Sequence, residues 1–289
     1  MSTKRGRTGA KRAQTSANRG RPMRKPVSRT PVWVGPAAVA AVVALVVATF
    51  LVIRWYTTPL APKPPATDTT QQIVSQMTSL PSSEFESIGQ GTANNLIKPV
   101  TGTPLTGATG KPEVLYLGGE FCPYCAAERW PLIIALSRFG MFSGLQATSS
   151  SSTIEYPNTP TFTFRNATYT SQYIDFRGIE SSDRDRKPLQ SPTAAEQQLF
   201  NKYDAQGTIP FVDLGNRYVF VGSMYLPDAL AGKSWQVVAN DLQEPSSVQA
   251  KAIIGSANLL TAALCKMTSD QPATVCSSTT IQDLEKKLG

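Results

Sequence analysis

Hydrophobic and polar positions divide the chain into regions of different character. From Val32 to Ile53, 22 residues pass without a charged side chain and are rich in Ala and Val. At 1.5 Å per residue a helix of that length spans about 33 Å, enough for the hydrocarbon core of a bilayer, so one transmembrane helix is predicted over 32–53. Trp33 on one side and Trp55 and Tyr56 on the other stand where amphipathic rings favour the membrane interface, and Arg54 marks the return to polar surroundings. A cleaved signal peptide is the competing reading. Its apolar stretch is shorter, about 7 to 15 residues, and Ala61 followed by Pro62 is a poor cleavage context.

Residues 54–70, with Pro59, Pro62, Pro64 and Pro65 and no apolar period, read as a tether. A domain is predicted from 71 to 289. It opens with a short helix, capped by Asp68 or a following Thr, whose Ile73, Val74, Met77 and Leu80 share one face before Pro81 stops it. A further turn around Phe85 and Ile88 ends at Gly89. Val114-Leu115-Tyr116-Leu117 reads as a buried strand, 113–118, running into a helix, 122–139, in which Leu132, Ile133, Leu136 and Phe139 recur at helical spacing before Gly140. Then come a strand near 144–149, a helix near 193–205, a hairpin over 210–221 with its turn at Gly215-Asn216, and a helix over 234–242. Pro210 stands at the first hairpin strand's start.

Residues 150–192 form an insertion, with edge strands expected around Thr161–Phe164 and Tyr173–Ile179. Covering one sheet edge is favoured for it over substrate recognition. A C-terminal helical extension follows over 246–289, where Val248, Ile253, Ala257, Leu260 and Leu264 form a face leading to Cys265.

Charge changes the picture less than its total suggests. The net charge is +8, from 28 Lys and Arg against 20 Asp and Glu. Ten of those basic residues, and no acid, fall within residues 1–31, which leaves 18 basic against 20 acidic residues beyond. A basic surface for nucleic acid is therefore not expected. The tail, 1–31, is too poor in apolar residues to fold. Its position before the span orients it to the cytoplasm by the positive-inside bias, with the domain outside the cell membrane. Contact between the tail and anionic lipid or nucleic acid is the less favoured reading.

Composition also removes chemistry. There is no histidine, which excludes Ser-His and Cys-His catalytic arrangements and His-ligated metals. Four cysteines remain. Cys122-Pro123-Tyr124-Cys125 sits where a strand turns into a helix N-terminus, where unpaired N–H groups and the helix dipole favour an anion. Cys122 is the candidate nucleophile, accessible, and Cys125, more buried, the resolving thiol that attacks a mixed disulfide on Cys122. Zinc would need Cys265 and Cys276 as its other two ligands, separated by ten residues rather than two to four, and an inert disulfide is the other alternative. No metal and no cofactor is expected. In an exported domain Cys265 and Cys276 are expected to form a structural disulfide, a second relay pair being the alternative.

The order of elements, with Pro210 opening a hairpin downstream of the Cys-x-x-Cys pair, resembles the thioredoxin-like plan: an α/β fold with a mixed central sheet flanked by helices, here with an insertion and behind a single transmembrane helix. That resemblance implies a cis proline lying against the cysteines. Pro210 is the matching residue, and Ile209, just before it, presents its backbone to the substrate. Ile209, Pro210, Pro123 and Tyr124 are thus the candidate substrate-binding residues. Thioredoxins carry a buried acid six residues before the first cysteine, where Tyr116 stands here, and usually a Trp where Phe121 stands. Glu120 or Glu128 are the candidate replacements, against a solvated Glu or an ordinary helix salt bridge. Pro-Tyr between the cysteines and Thr208-Ile209-Pro210 also resemble glutaredoxins, but Gly222-Ser223 replaces their Gly-Gly.

Gly119-Glu120-Phe121-Cys122-Pro123-Tyr124-Cys125-Ala126-Ala127-Glu128-Arg129-Trp130 and Leu136-Ser137-Arg138-Phe139-Gly140 resemble the prokaryotic domain of unknown function 929. So do Pro157-Asn158-Thr159-Pro160-Thr161, Ile209-Pro210-Phe211-Val212-Asp213, Ala257-Asn258 and Gln271-Pro272-Ala273-Thr274-Val275-Cys276, so that the likeness runs over residues 70–277. The family implies a thioredoxin-like domain, often behind a membrane span, and no established substrate.

Together these readings lead to the expectation of a membrane-anchored, extracytoplasmic thiol:disulfide oxidoreductase. Its partners would be exported protein thiols or disulfides and a membrane redox partner that resets the pair. The alternative is a non-enzymatic assembly or binding protein that uses the fold as a scaffold and its cysteines as staples.

Overall fold

The structure, a computed structural model, describes residues 34–57 and 62–288. The basic tail, 1–31, and Trp33 lie outside the described residues. The chain divides into two units, an N-terminal one ending at Thr58 and a second from Pro59 onward.

The described residues of the first unit form helix α1, Val34–Thr57. Its window Ala37–Arg54 is long and apolar enough to cross a membrane, and none of it is buried. The helix continues past Ile53 through Arg54 to Thr57, into what the sequence assigns to the tether.

The second unit begins with α2, Thr67–Thr78, followed by α3, Ser82–Ile88. The tether therefore ends earlier than residue 70. Thr70 is buried, its hydroxyl donating to the Ala66 carbonyl at 3.0 Å, and Asp68 lies in the first turn, where its charge suits the dipole, rather than capping. Ile73 and Met77 are buried as their spacing predicts.

A five-stranded sheet forms the centre, from β1 (Lys98–Pro99), β2 (Glu113–Gly118), β7 (Asp175–Glu180), β8 (Phe211–Leu214) and β9 (Tyr218–Val221), in the order β1-β9-β8-β2-β7. Two separate two-stranded sheets accompany it: β3 (Gly140–Ser143) pairs with β6 (Thr168–Ser171), and β4 (Gln146–Ser149) with β5 (Pro160–Thr163). β2 runs parallel to β7 and antiparallel to β8. It is buried on both faces: Val114 and Tyr116 join the larger core, while Leu115 and Leu117 meet Phe200, Phe211 and Ile179 on the other side.

Helix α4, Pro123–Ser137, and α7, Val248–Met267, pack on the larger-core face, and α5, Ala194–Tyr203, on the opposite one. α5 starts with a reciprocal cap between Thr193 and Glu196. α6, Trp235–Asp241, is capped by Ser234. α8, Ala273–Cys276, and α9, Thr279–Glu285, close the chain.

Three expectations are corrected. The strand near 144–149 forms as β4 but lies outside the central sheet. β7 is the edge strand that the insertion was expected to supply, and it takes the place beside β2 instead. The reason is apolar surface: Phe176 stacks edge-on against Phe142 and Phe164 on one face and Ile179 is buried on the other, whereas Gln146-Ala147-Thr148-Ser149 has nothing to bury on two faces. The hairpin turn holds three residues, since Leu214 pairs with Tyr218; Gly215 and Asn216 take positive φ of 67° and 53°. Finally, α7 is no appendage but a core helix, with 17 of its 20 residues buried, and Val248, expected on its apolar face, is exposed.

Candidate active site

β2 ends at Gly118, and four residues later Cys122 caps α4 from an extended conformation (φ −79°, ψ 123°) with Pro123 just inside the helix. The Cys125 N–H donates to Cys122 Sγ at 3.2 Å, so the sulfur sits in the anion-favouring position at the helix start. Cys122 Sγ also lies 3.8 Å from the carbonyl oxygen of Ile209, toward which its thiol donates, and the Ile209–Pro210 peptide bond is cis. Cys122, Cys125, Ile209 and Pro210 therefore meet, with Pro123 buried and Tyr124 half-exposed beside them.

These contacts separate the two thiols electrically. The Cys125 thiol's hydrogen bond lowers Cys122 from 9.0 to about 7, against the effect of burial and with help from the Cys125 N–H, the Arg129 charge and the Tyr124 N–H. Burial pushes the Cys125 thiol well above its usual value, and the bond it gives Cys122 adds to this. Cys122 is the thiol that ionises, Cys125 the one that holds its proton.

Cys122 is less open than expected, at 5% exposure against 0% for Cys125. The insertion accounts for part of this. Ser151 N–H donates to the Phe121 carbonyl at 2.9 Å, and Glu120 N–H to the Ser182 carbonyl at 2.9 Å. Tyr156 meets Tyr124 edge-on at 6.1 Å, and the Arg186 guanidinium stands 4.6 Å over the Phe121 ring. Residues 150–192 thus supply walls of the site as well as a sheet edge.

Neither acid suggested for the position of Tyr116 is a solvated or salt-bridged group. Glu128 is fully buried, accepts from Met224 N–H at 3.1 Å, and is pushed up to about 8, mainly by burial. Glu120 is 8% exposed. Tyr116 is buried, its hydroxyl without a partner among the described residues.

Residues that the sequence reading passed over complete the surroundings. Arg129, one turn beyond Cys125, donates from Nε and Nη2 to Glu180 at 2.9 and 2.6 Å and from Nη2 to the Gly119 carbonyl at 2.9 Å, with both side chains fully buried. The signal was available. A helix buried on all sides must bury any charge it carries, and a buried charge needs a partner.

Cys265 and Cys276 are bonded to each other, Cα atoms 5.6 Å apart, joining the end of α7 to α8. No cluster of three or more candidate metal ligands occurs among the described residues.

The region holding this site, residues 99–266, matches the sequence model of the family described as Domain of unknown function (DUF929), and the chain belongs to that family. The match is narrower than the expected 70–277, leaving out α2, α3 and the Cys276 side of the disulfide. No curated protein matches the chain, and no solved structure does.

Proposed function

We propose that the chain is a membrane-anchored thiol:disulfide oxidoreductase with a thioredoxin-like domain outside the membrane, acting on exported cysteine-containing proteins. The observation that carries this reading is the 3.8 Å approach of Cys122 Sγ to the Ile209 carbonyl. It sets an easily ionised thiol at a helix start beside backbone that an extended substrate can pair with. Support for the thioredoxin-like plan comes from β2 leading into α4, a parallel crossover to β7, and the β8–β9 hairpin opened by Pro210. The apolar α1 and the basic residues before it support an anchor with its N-terminus cytoplasmic.

Catalysis would run by exchange. A substrate thiolate attacks Cys122 Sγ of the disulfide form, Cys125 leaves, and a second substrate thiolate then releases Cys122; the reverse sequence reduces a substrate disulfide. A membrane redox partner resets the pair.

The 5% exposure of Cys122 favours a second reading, a scaffold whose pair is a staple. Incubating the native protein in glutathione buffers of graded potential distinguishes them. A reversible Cys122–Cys125 transition with a definite potential is expected; a bond that ignores the buffer while the protein stays folded removes the enzymatic reading.

A further inference from the structure

Burying an ion pair is a poor route to stability, since apolar residues of the same volume often serve as well or better. The Arg129–Glu180 pair therefore calls for another explanation, and its placement offers one. Arg129 follows Cys125 by four residues, so it leaves α4 on the same face one turn on. Two bonds to Glu180 and one to the Gly119 carbonyl fix its guanidinium, and Gly119 belongs to the turn that delivers Cys122. Its Nη1 has no partner among the described residues.

The other ionisable groups near this cation are few. Its guanidinium carbon lies 5.7 Å from the Tyr116 ring centre, and burial keeps that phenol neutral. Glu120 acts on Glu180 from beyond the pair. Both Cys122 and Cys125 feel the Arg129 charge as one that favours their anions.

We propose that Arg129, positioned by Glu180 and Gly119, is the fixed cation that stabilises the sulfur anions released when the Cys122–Cys125 disulfide is reduced, so making the pair more oxidising than it would be without that charge. This deepens the oxidoreductase reading and rests on it. In the first exchange the Cys122–Cys125 bond breaks and its electron pair leaves on Cys125, while a bond forms from the substrate sulfur to Cys122. In the second, the substrate's other sulfur attacks the first, and the electron pair of the mixed disulfide leaves on Cys122. The substrate dithiol loses two electrons and two protons and becomes a disulfide; the cysteine pair gains them. Charge develops on a protein sulfur at each cleavage, and a cation that need not move stabilises both. Arg129 is a positioning residue in this scheme, since it acts through the two thiols.

Two variants of the full chain alter the charge in opposite senses. Arg129→Met combined with Glu180→Gln removes cation and counter-charge, and Glu180→Gln alone leaves the cation uncompensated. The rate of Cys122 alkylation against pH and the equilibrium with glutathione are measured for each. The double variant is expected to move the Cys122 midpoint up by about one pH unit. It should also lower the constant for reduction of the pair by glutathione about twofold at pH 7, or about 8 mV, and toward tenfold, about 30 mV, above about pH 9, where the Cys122 thiolate dominates in both proteins. Glu180→Gln should move both readings the other way, and it decides the question by itself if the double variant does not fold. A purely structural pair would leave the midpoint unchanged in the folded variants or shift it in the same sense in both, and either result overturns the inference. Failure of the unaltered protein to exchange with glutathione would instead remove the oxidoreductase reading, while the Cys122 midpoints would still decide whether Arg129 acts on the thiols.

Discussion

The Tyr225 hydroxyl donates a hydrogen bond of 2.7 Å to the carbonyl oxygen of Ala127, four residues before Pro131. That carbonyl is the one a proline at 131 deprives of its helical amide. Tyr225, on the chain after the β8–β9 hairpin, replaces the missing donor, and α4 continues to Ser137. Tyr225→Phe leaves a buried carbonyl unpaired, and a loss of about 1 to 3 kcal/mol is expected from denaturant unfolding, with the Cys122 alkylation profile unchanged. A profile that moves with the stability would mean that the bond does more than complete the helix.

Glu128 gives the fold a pH dependence of its own. Its carboxyl is raised from 4.5 to about 8, so the unfolded state gives up that proton first. The stability it contributes is fully present below pH 4.5 and is lost as pH rises through about 8. Glu128→Gln keeps an acceptor for Met224 N–H and cannot ionise. The variant is expected to be more stable than the parent at pH 8.5, by about 2 kcal/mol or more, with the difference vanishing toward pH 4.5. Equal unfolding midpoints at both pH values would show that Glu128 is ionised in the fold.

The Cys265–Cys276 bond closes a short loop, with a sequence separation of 11. Loop-closure reasoning gives it about 2 to 3 kcal/mol. Replacing both cysteines by Ala should lower stability by that amount and leave the potential of the Cys122–Cys125 pair where it was, because both sulfurs are buried and committed to each other. A changed potential in the double variant would favour a relay between the two pairs.

Strand β2, helix α4 and the β8–β9 hairpin were legible because their apolar periods are strong and their ends are marked by Gly140, Gly215 and Pro210. The neighbour of β2 was not. Between Gly140 and Glu180 the chain holds five short strands of similar pattern, and the choice among them is made by Phe176 meeting Phe142 and Phe164, contacts between segments far apart in sequence. The site divides in the same way. Cys122 and Cys125 are local and visible as a motif, and Ile209-Pro210 follows from chain order. The partner of Arg129 is Glu180, 51 residues on, and periodicity within α4 says only that a charge is buried, not what meets it. Tyr156 and Arg186 reach the motif through loops whose positive φ values, 52° and 66°, no pattern of apolar residues announces.

Cys125→Ala separates the two sulfurs' roles. The largest influence lowering Cys122 is the hydrogen bond from the Cys125 thiol; the backbone N–H at 125 survives the substitution. The Cys122 alkylation midpoint should therefore rise from about 7, with the helix start and Arg129 left to favour the anion against burial. In the reduced parent the same shift has a stability counterpart: the contribution of Cys122 is complete above pH 9.0 and is lost as pH falls through about 7. With no thiol at 125 to resolve it, a mixed disulfide formed on Cys122 can leave only by attack from outside. Expressed as the full chain in its own cells, the variant should accumulate such adducts, seen as bands that collapse on reduction, and Cys122→Ala combined with Cys125→Ala should show none. Adducts that persist in the double variant would mean that they do not form on Cys122, their failure to accumulate in Cys125→Ala that Cys125 does not resolve them, and an alkylation midpoint still at about 7 that Cys125 does not tune Cys122; any of the three would end the assignment of the two thiols.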